Sequence, residues 1–241
     1  LRCLRFSTAR SRAWTAPWRR MTRRLSEDEV WTLFAVLLDS LRTKGAIRFP
    51  DSVSPVVDGS APRNREYYFR GNGSNSRRHI SSWAPSAKGV LNSRLDFLVR
   101  LVDRLGLGLT REDCSQVLRH IWGRSFRLHD PASCWNDLFS DIVLPGEDVV
   151  YRLKPRFWEL RPGVIDPKIP WYYCDTCYSL TLLNLRGVCP TYRCEGQLRP
   201  CDPAEVFRDN HYRKLYTSIE PINLVAKEHT AQLTSETAAE L

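Results

Sequence analysis

A mixed α/β fold is what this sequence predicts, helical through its first two-thirds and closing on a small cysteine-bound β ribbon. Three observations carry that prediction. Apolar residues recur at helical spacing in three separate stretches. Two short segments, Asp148 to Leu153 and Arg156 to Leu160, read as strands. Cys174, Cys177, Cys189 and Cys194 stand at the spacing of a four-thiolate metal knuckle.

Taken in order, Leu1 to Phe6 roughly alternates apolar and polar and predicts a short strand. Ser7 to Arg12 then reads as a turn into a helix carrying Trp14, Trp18 and Met21. Ser26 with Glu29 three residues on is a capping box. Behind it Val30, Trp31, Phe34, Leu37, Leu38 and Leu41 fall on one helical face, and Gly45 ends the helix. From Pro50 to Ala87 the chain turns to Pro, Ser, Asn, Gly and Arg. That composition predicts a mobile loop at Arg70 to Arg78, with only Glu66 to Phe69 as strand.

Leu91, Leu95, Leu98, Leu101, Val102 and Leu105 make a second apolar stripe. Thr110 and Asp113 cap a third helix, which runs to about Trp122 with Val117, Leu118 and Ile121 inward. A short helical piece follows Pro131, and then come the two strand segments, parted by Lys154-Pro155. Helix, helix, ribbon is the order of a winged helix. Past the cysteines lie a helical connector from Pro203 to Tyr212, a strand at Ile222 to Ala226, and the start of a helix at Thr234.

The net charge of +9 is unevenly placed. Residues 1–24 hold eight arginines and no acid, while the remainder carries 28 basic residues against 27 acidic ones. Whatever the basic charge does, the opening does it: it suits contact with phosphate, and its Arg-rich, acid-free composition also fits a mitochondrial transit peptide. No apolar run approaches the roughly 18 residues of a membrane span, which excludes a transmembrane role.

Eight cysteines in 241 residues are too sparse for a disulfide scaffold, and a reducing, cytoplasmic setting with one metal site explains them better. Cys114, inside a helical pattern, reads as a buried thiol and Cys201 as a bystander. In the knuckle, two residues between Cys174 and Cys177 and four between Cys189 and Cys194 let each pair reach one tetrahedral ion from a turn. Structural Zn²⁺ is the favoured occupant, with an iron–sulfur centre or a redox Cys-x-x-Cys as alternatives. Tyr172, Tyr173, Tyr178 and Tyr192, with Arg186, Arg193 and Arg199, surround the knuckles. Such interleaving suits stacking on single strands, and equally a tyrosine-packed ribbon core with solvated arginines. No phosphate-binding Gly-x-x-x-x-Gly-Lys-Ser/Thr loop and no nucleophile elbow occurs.

Glu220 to Leu233, above all Glu228-His229-Thr230-Ala231-Gln232-Leu233, resembles a stretch of large bacterial DEAD/DEAH-box superfamily 2 helicases of the repair and phage-defence type. The opening around Phe6, Ser7, Arg10 and Ala13 resembles the start of the same family's second RecA-like lobe, although Thr8 and Ser11-Arg12 depart from the pattern. The resemblance implies a partial RecA-like lobe interrupted by a helical insertion and a zinc ribbon. Its divisions are 1–24 for the start of the lobe, 25–165 for the helical insertion, 166–202 for the ribbon, and 203–241 for the return to the lobe. It also makes the chain an excerpt of a longer one and the transit-peptide reading the weaker. Ser7, Arg10, His229 and Thr230 become candidates for backbone contacts to nucleic acid, DNA by preference. No catalytic residue is implied within the chain. ATP and Mg²⁺ belong only to the full-length parent, and the remaining helicase chain is the expected partner. A zinc-ribbon nucleic-acid or protein-binding module without ATPase activity is the competing expectation.

Overall fold

The computed structural model describes residues 15–48, 67–73, 79–85, 91–143, 149–155, 170–206 and 208–218. The predicted strands at 1–6, 156–160 and 222–226 and the helix start at Thr234 lie outside these residues. Two compact units divide the chain, Leu1–Cys201 and Asp202–Leu241. Among the described residues the second contributes the helices Pro203–Val206 and His211–Ser218.

The helices of the first unit form where local chemistry specifies them. Helix α1 spans Ala16–Thr22, with a proline in its first turn and Pro17, Trp18 and Met21 buried. Helix α2, Glu27–Arg42, starts on the predicted capping box: Glu29 N–H donates to Ser26 Oγ (3.2 Å), and Ser26 N–H donates to the Glu29 carboxylate (2.8 Å). It stops at Thr43, two residues before Gly45 with its positive φ of 81°. Helix α3 spans Ser93–Arg104 under an Asn92 cap, and α4 spans Arg111–His120 under the Thr110–Asp113 box. A π-helical turn, Ile121–Phe126, continues α4 and ends at Arg127 in the left-handed region. It turns Trp122 and Phe126 into an aromatic cluster with Trp83, Trp135, Phe139 and Tyr151.

The strands of the first sheet differ from the expectation in three places. Strand β1 is Tyr68–Gly73, so the Gly- and Asn-rich stretch predicted as a loop begins as sheet. Strand β2, Ile80–Pro85, arises from a segment whose serines hide it, and Trp83 fixes its inner face. Strand β3 is Phe139–Val143, and β4, Val149–Leu153, forms where predicted but takes β3 as its hairpin partner. The sheet order is β2-β1-β4-β3, with β1 parallel to β2 and antiparallel to β4. Phe69, Trp83, Phe139 and Leu153 join the core with α1–α4, whereas Tyr68, Ile80 and Val150 pack together separately. Gly71 is required in β1 because a Cβ there would meet the Trp122 indole at 2.3 Å.

The core also encloses a cationic side chain. Arg94 is 1% exposed and donates to the carbonyls of Trp83 (3.0 Å) and Ser82 (2.7 Å) and to Ser40 Oγ (2.9 Å). Its guanidinium also lies 5.3 Å from the Trp83 ring centre, and burial lowers its pKa to about 10. The fork ties α2, β2 and α3 together, sharing the Ser82 and Trp83 carbonyls with the Asn92 side-chain amide, which donates to both (3.1 and 3.2 Å). No described helix is long and apolar enough to cross a membrane.

Candidate metal centre

Three short strands bring the four predicted cysteines to one point: β5, Trp171–Cys174, β6, Leu180–Thr181, and β7, Leu198–Cys201. They form an antiparallel sheet of order β6-β5-β7. Of the apolar run Ser179 to Leu185 only two residues are strand. Leu185 instead bridges to Val188, and both enter the helical core. The turn after Cys174 and the loop from Cys189 to Cys194 face each other across the sheet end.

All four sulfurs lie within 4.8 Å of one another. Cys174 Sγ is 3.6 Å from Cys194 Sγ, and Cys177 Sγ is 3.6 Å from Cys189 Sγ. A tetrahedral site with metal–sulfur bonds of about 2.3 Å has edges of about 3.8 Å. The cluster thus fits a metal ion such as zinc. Cys174, Cys189 and Cys194 are buried and Cys177 is half-buried, so three of the four donors are shielded from solvent.

The thiols are poised unequally. Burial opposes ionisation of Cys177, but hydrogen bonds with Ser179 and Thr191 outweigh it and lower its pKa to about 6. Burial pushes Cys194 up to about 12, with the neighbouring sulfurs adding to the rise, and burial raises Cys189 as well. Four adjacent thiolates cannot coexist without a cation, so metal entry must expel protons from Cys189 and Cys194.

Two residues of α3 complete the site, and neither stands out as a site residue in the sequence. Arg100 donates to the carbonyls of Cys189 (2.7 Å), Cys194 (2.6 Å) and Thr191 (3.1 Å), and is paired with Asp96 at 2.7 Å. Asp96 in turn accepts from the Arg193 backbone N–H at 2.9 Å. One charged pair thus fixes the loop that carries half of the ligands. The visible signal is an Asp and an Arg four apart on an otherwise apolar stripe, a pair ordinarily taken for solvated surface.

The other candidates are placed unevenly. Ser7, Arg10, His229 and Thr230 lie outside the described residues. Arg20 donates to the Leu107 carbonyl in the α3–α4 turn at 2.6 Å, and Arg23 and Arg24 are exposed beside it in the chain. Arg186 pairs with Glu29 at 2.6 Å and caps the Arg24 carbonyl, fastening the ribbon to the start of α2. Tyr172 packs against the cysteine cluster, and Tyr192 donates to the Leu91 carbonyl at 2.8 Å with Arg193 over its ring. Cys114 is buried with its pKa pushed up to about 12, chiefly by burial, the inert thiol expected. Comparison of the chain with protein families, with curated proteins and with solved structures finds no match.

Proposed function

We propose that this chain is a nucleic-acid-gripping module of an ATP-dependent DNA helicase or translocase, stapled by one structural Zn²⁺. The observation that supports it best is the connectivity α2–β1–β2–α3–α4–β3–β4 with β4 lying between β1 and β3 and β2 added outside β1. Apart from the added edge strand β2 it matches a winged helix, in which the second helix of the α3–α4 pair and the β3–β4 hairpin approach nucleic acid. Helix α1 packs against α4 through Trp18 and His120, Arg20 reaches the α3–α4 turn, and Arg19, Arg23 and Arg24 lie within four residues of Arg20 in the chain. Gln116 and Arg124 are exposed along α4 and its π-helical continuation. Such arginines hold phosphates and confer no sequence preference, which suits a protein that moves along a strand.

The motor assignment rests on the resemblance of the two end segments to a RecA-like lobe, with ATP and Mg²⁺ held elsewhere in the parent protein. The module by itself is expected to bind without hydrolysing ATP. Zinc is preferred over iron because four thiolates with no open position form a structural set. Elemental analysis should return one zinc per chain, and iron in its place would overturn that identity.

Binding of the zinc-loaded chain to labelled single-stranded DNA should weaken steeply with salt. Changing Arg19, Arg20, Arg23 and Arg24 to Gln should flatten the log–log slope by about 0.7 for each phosphate no longer neutralised. An unchanged slope would place the interface elsewhere.

A further inference from the structure

The two faces of the ribbon sheet are chemically unlike. Tyr172, Cys174 and Leu198 face the metal cluster. Strand register pairs Tyr173 with both Leu180 and Arg199, and Trp171 with Cys201. Directly opposite residues, and those two apart, share a face. Trp171, Tyr173, Leu180 and Arg199 therefore stand together on the face away from the four clustered cysteines, with Asp175 at its edge. None of these five belongs to a hydrophobic core among the described residues.

Tyr178 completes this surface. Its ring centre lies 5.8 Å from that of Tyr173, the planes inclined by 34°, and the residue is 66% exposed. Its φ of 61° is left-handed, a conformation that glycine adopts freely and a tyrosine resists. Arg186 and Arg193 share that backbone region, but each has its side chain engaged within the fold, Arg186 on Glu29 and Arg193 over Tyr192. That conformation closes the first knuckle turn, where Tyr178 N–H donates to the Cys174 carbonyl (3.1 Å) and Cys174 N–H to the Ser179 carbonyl (3.0 Å), yet the side chain at this position is a ring left to solvent beside another ring. A large aromatic ring at a turn position that suits glycine, packed into no core and left exposed, points to a ligand.

We propose that Tyr173 and Tyr178, with Trp171 beside them and Arg199 at the rim, form a stacking platform for unpaired bases of single-stranded nucleic acid. The proposal rests on the nucleic-acid reading above and names the surface that takes the bases. Flat π faces accept any base, so the platform is sequence-tolerant. Arg199 is held by Asp175 at 3.3 Å in an exposed pair, a weak tie that a phosphate can replace. The arginines of α1 would then grip the backbone while the ribbon holds bases, so the ribbon would favour single strands over duplex.

The test measures affinity of the zinc-loaded chain for labelled (dT)20 and for a duplex of equal length. Tyr178→Ala should weaken (dT)20 binding about tenfold, spare the duplex and leave the salt slope unaltered. Tyr178→Phe should bind as the parent does. Tyr178→Gly relieves the backbone, so it should keep its zinc, melt no lower than the parent and still show the tenfold loss. A purely structural tyrosine would instead give a glycine variant that loses zinc or melts lower, overturning the proposal. Wild-type (dT)20 affinity in the Ala variant would also overturn it, as expected of a surface kept for a protein partner, while an altered slope in the arginine variants would leave the phosphate interface standing. Absence of any (dT)20 binding by the parent would overturn both.

Discussion

Gly196 shows how little room the cysteine cage leaves. A Cβ there would lie 2.5 Å from Cys174 Sγ and 2.7 Å from Thr176 Cβ, while the Gly196 N–H donates to Cys194 Sγ at 3.4 Å. Gly196→Ala should therefore displace a ligand, costing about 1–3 kcal/mol of stability and lowering zinc affinity by roughly 10–100-fold. Competition with a chromophoric chelator measures the second effect. Gly123→Ala, with nothing within 4 Å of the added carbon, is the matching control and should leave zinc affinity intact. The cysteines were legible in the sequence because ligand spacing is a local property of two turns. The demand for glycine at 196 was not, since it comes from Cys174, which only the pairing of β5 with β7 brings near.

At the scale of elements, the α1–α4 contact has a pH signature. The His120 ring stacks on Trp18, with centres 5.6 Å apart and planes inclined by 26°. Burial, and then the nearby Arg124, hold its pKa below the ordinary histidine value. The unfolded chain thus binds this proton more tightly than the folded one. Stability should rise with pH between the two pKa values and be fully present above about 6.5. It is lost as the pH falls through the folded value. His120→Phe keeps the stack and removes the titration, so its melting temperature should vary less between pH 5 and 7, and a slope equal to the parent's would reject this origin. The capping boxes of α2 and α4 could be read in advance because a cap involves residues three apart. Strand β2 could not: Ser81, Ser82 and Pro85 argue against a strand, and burial of Trp83 under α4, with its indole donating to the Leu118 carbonyl at 2.9 Å, overrides them.

Across the first unit as a whole, the ribbon shares its packing with the helices. Leu185 and Val188 lie in the helical core, Arg186 reaches α2, and Arg100 reaches both ligands of the second knuckle. Removing the metal should therefore lower the stability of the helical part as well as of the ribbon. A far-UV melt of the chelated chain should shift as one transition, and a helical signal that melts unchanged would show the two to be uncoupled. Arg100→Met should reproduce part of the effect with zinc present, costing about 2–3 kcal/mol by leaving Asp96 and the knuckle carbonyls short of donors.

The sequence by itself determined the cysteine quartet, the principal helices and their caps, and the concentration of positive charge in the first two dozen residues. Each of these depends on spacing within a few residues or on composition alone. The tertiary structure decided which strand pairs with β4, that α3 rather than the ribbon supplies the charged support of the second knuckle, and which tyrosines remain exposed. Four tyrosines and three arginines around the knuckles were equivalent by composition. Packing commits Tyr172 to the thiolates, Tyr192 and Arg193 to the docking against α3, and Arg186 to α2. Tyr178 and Arg199 are left exposed with Tyr173 half-buried beside them, because exposure is a property of the surface that remains once every other contact has been made.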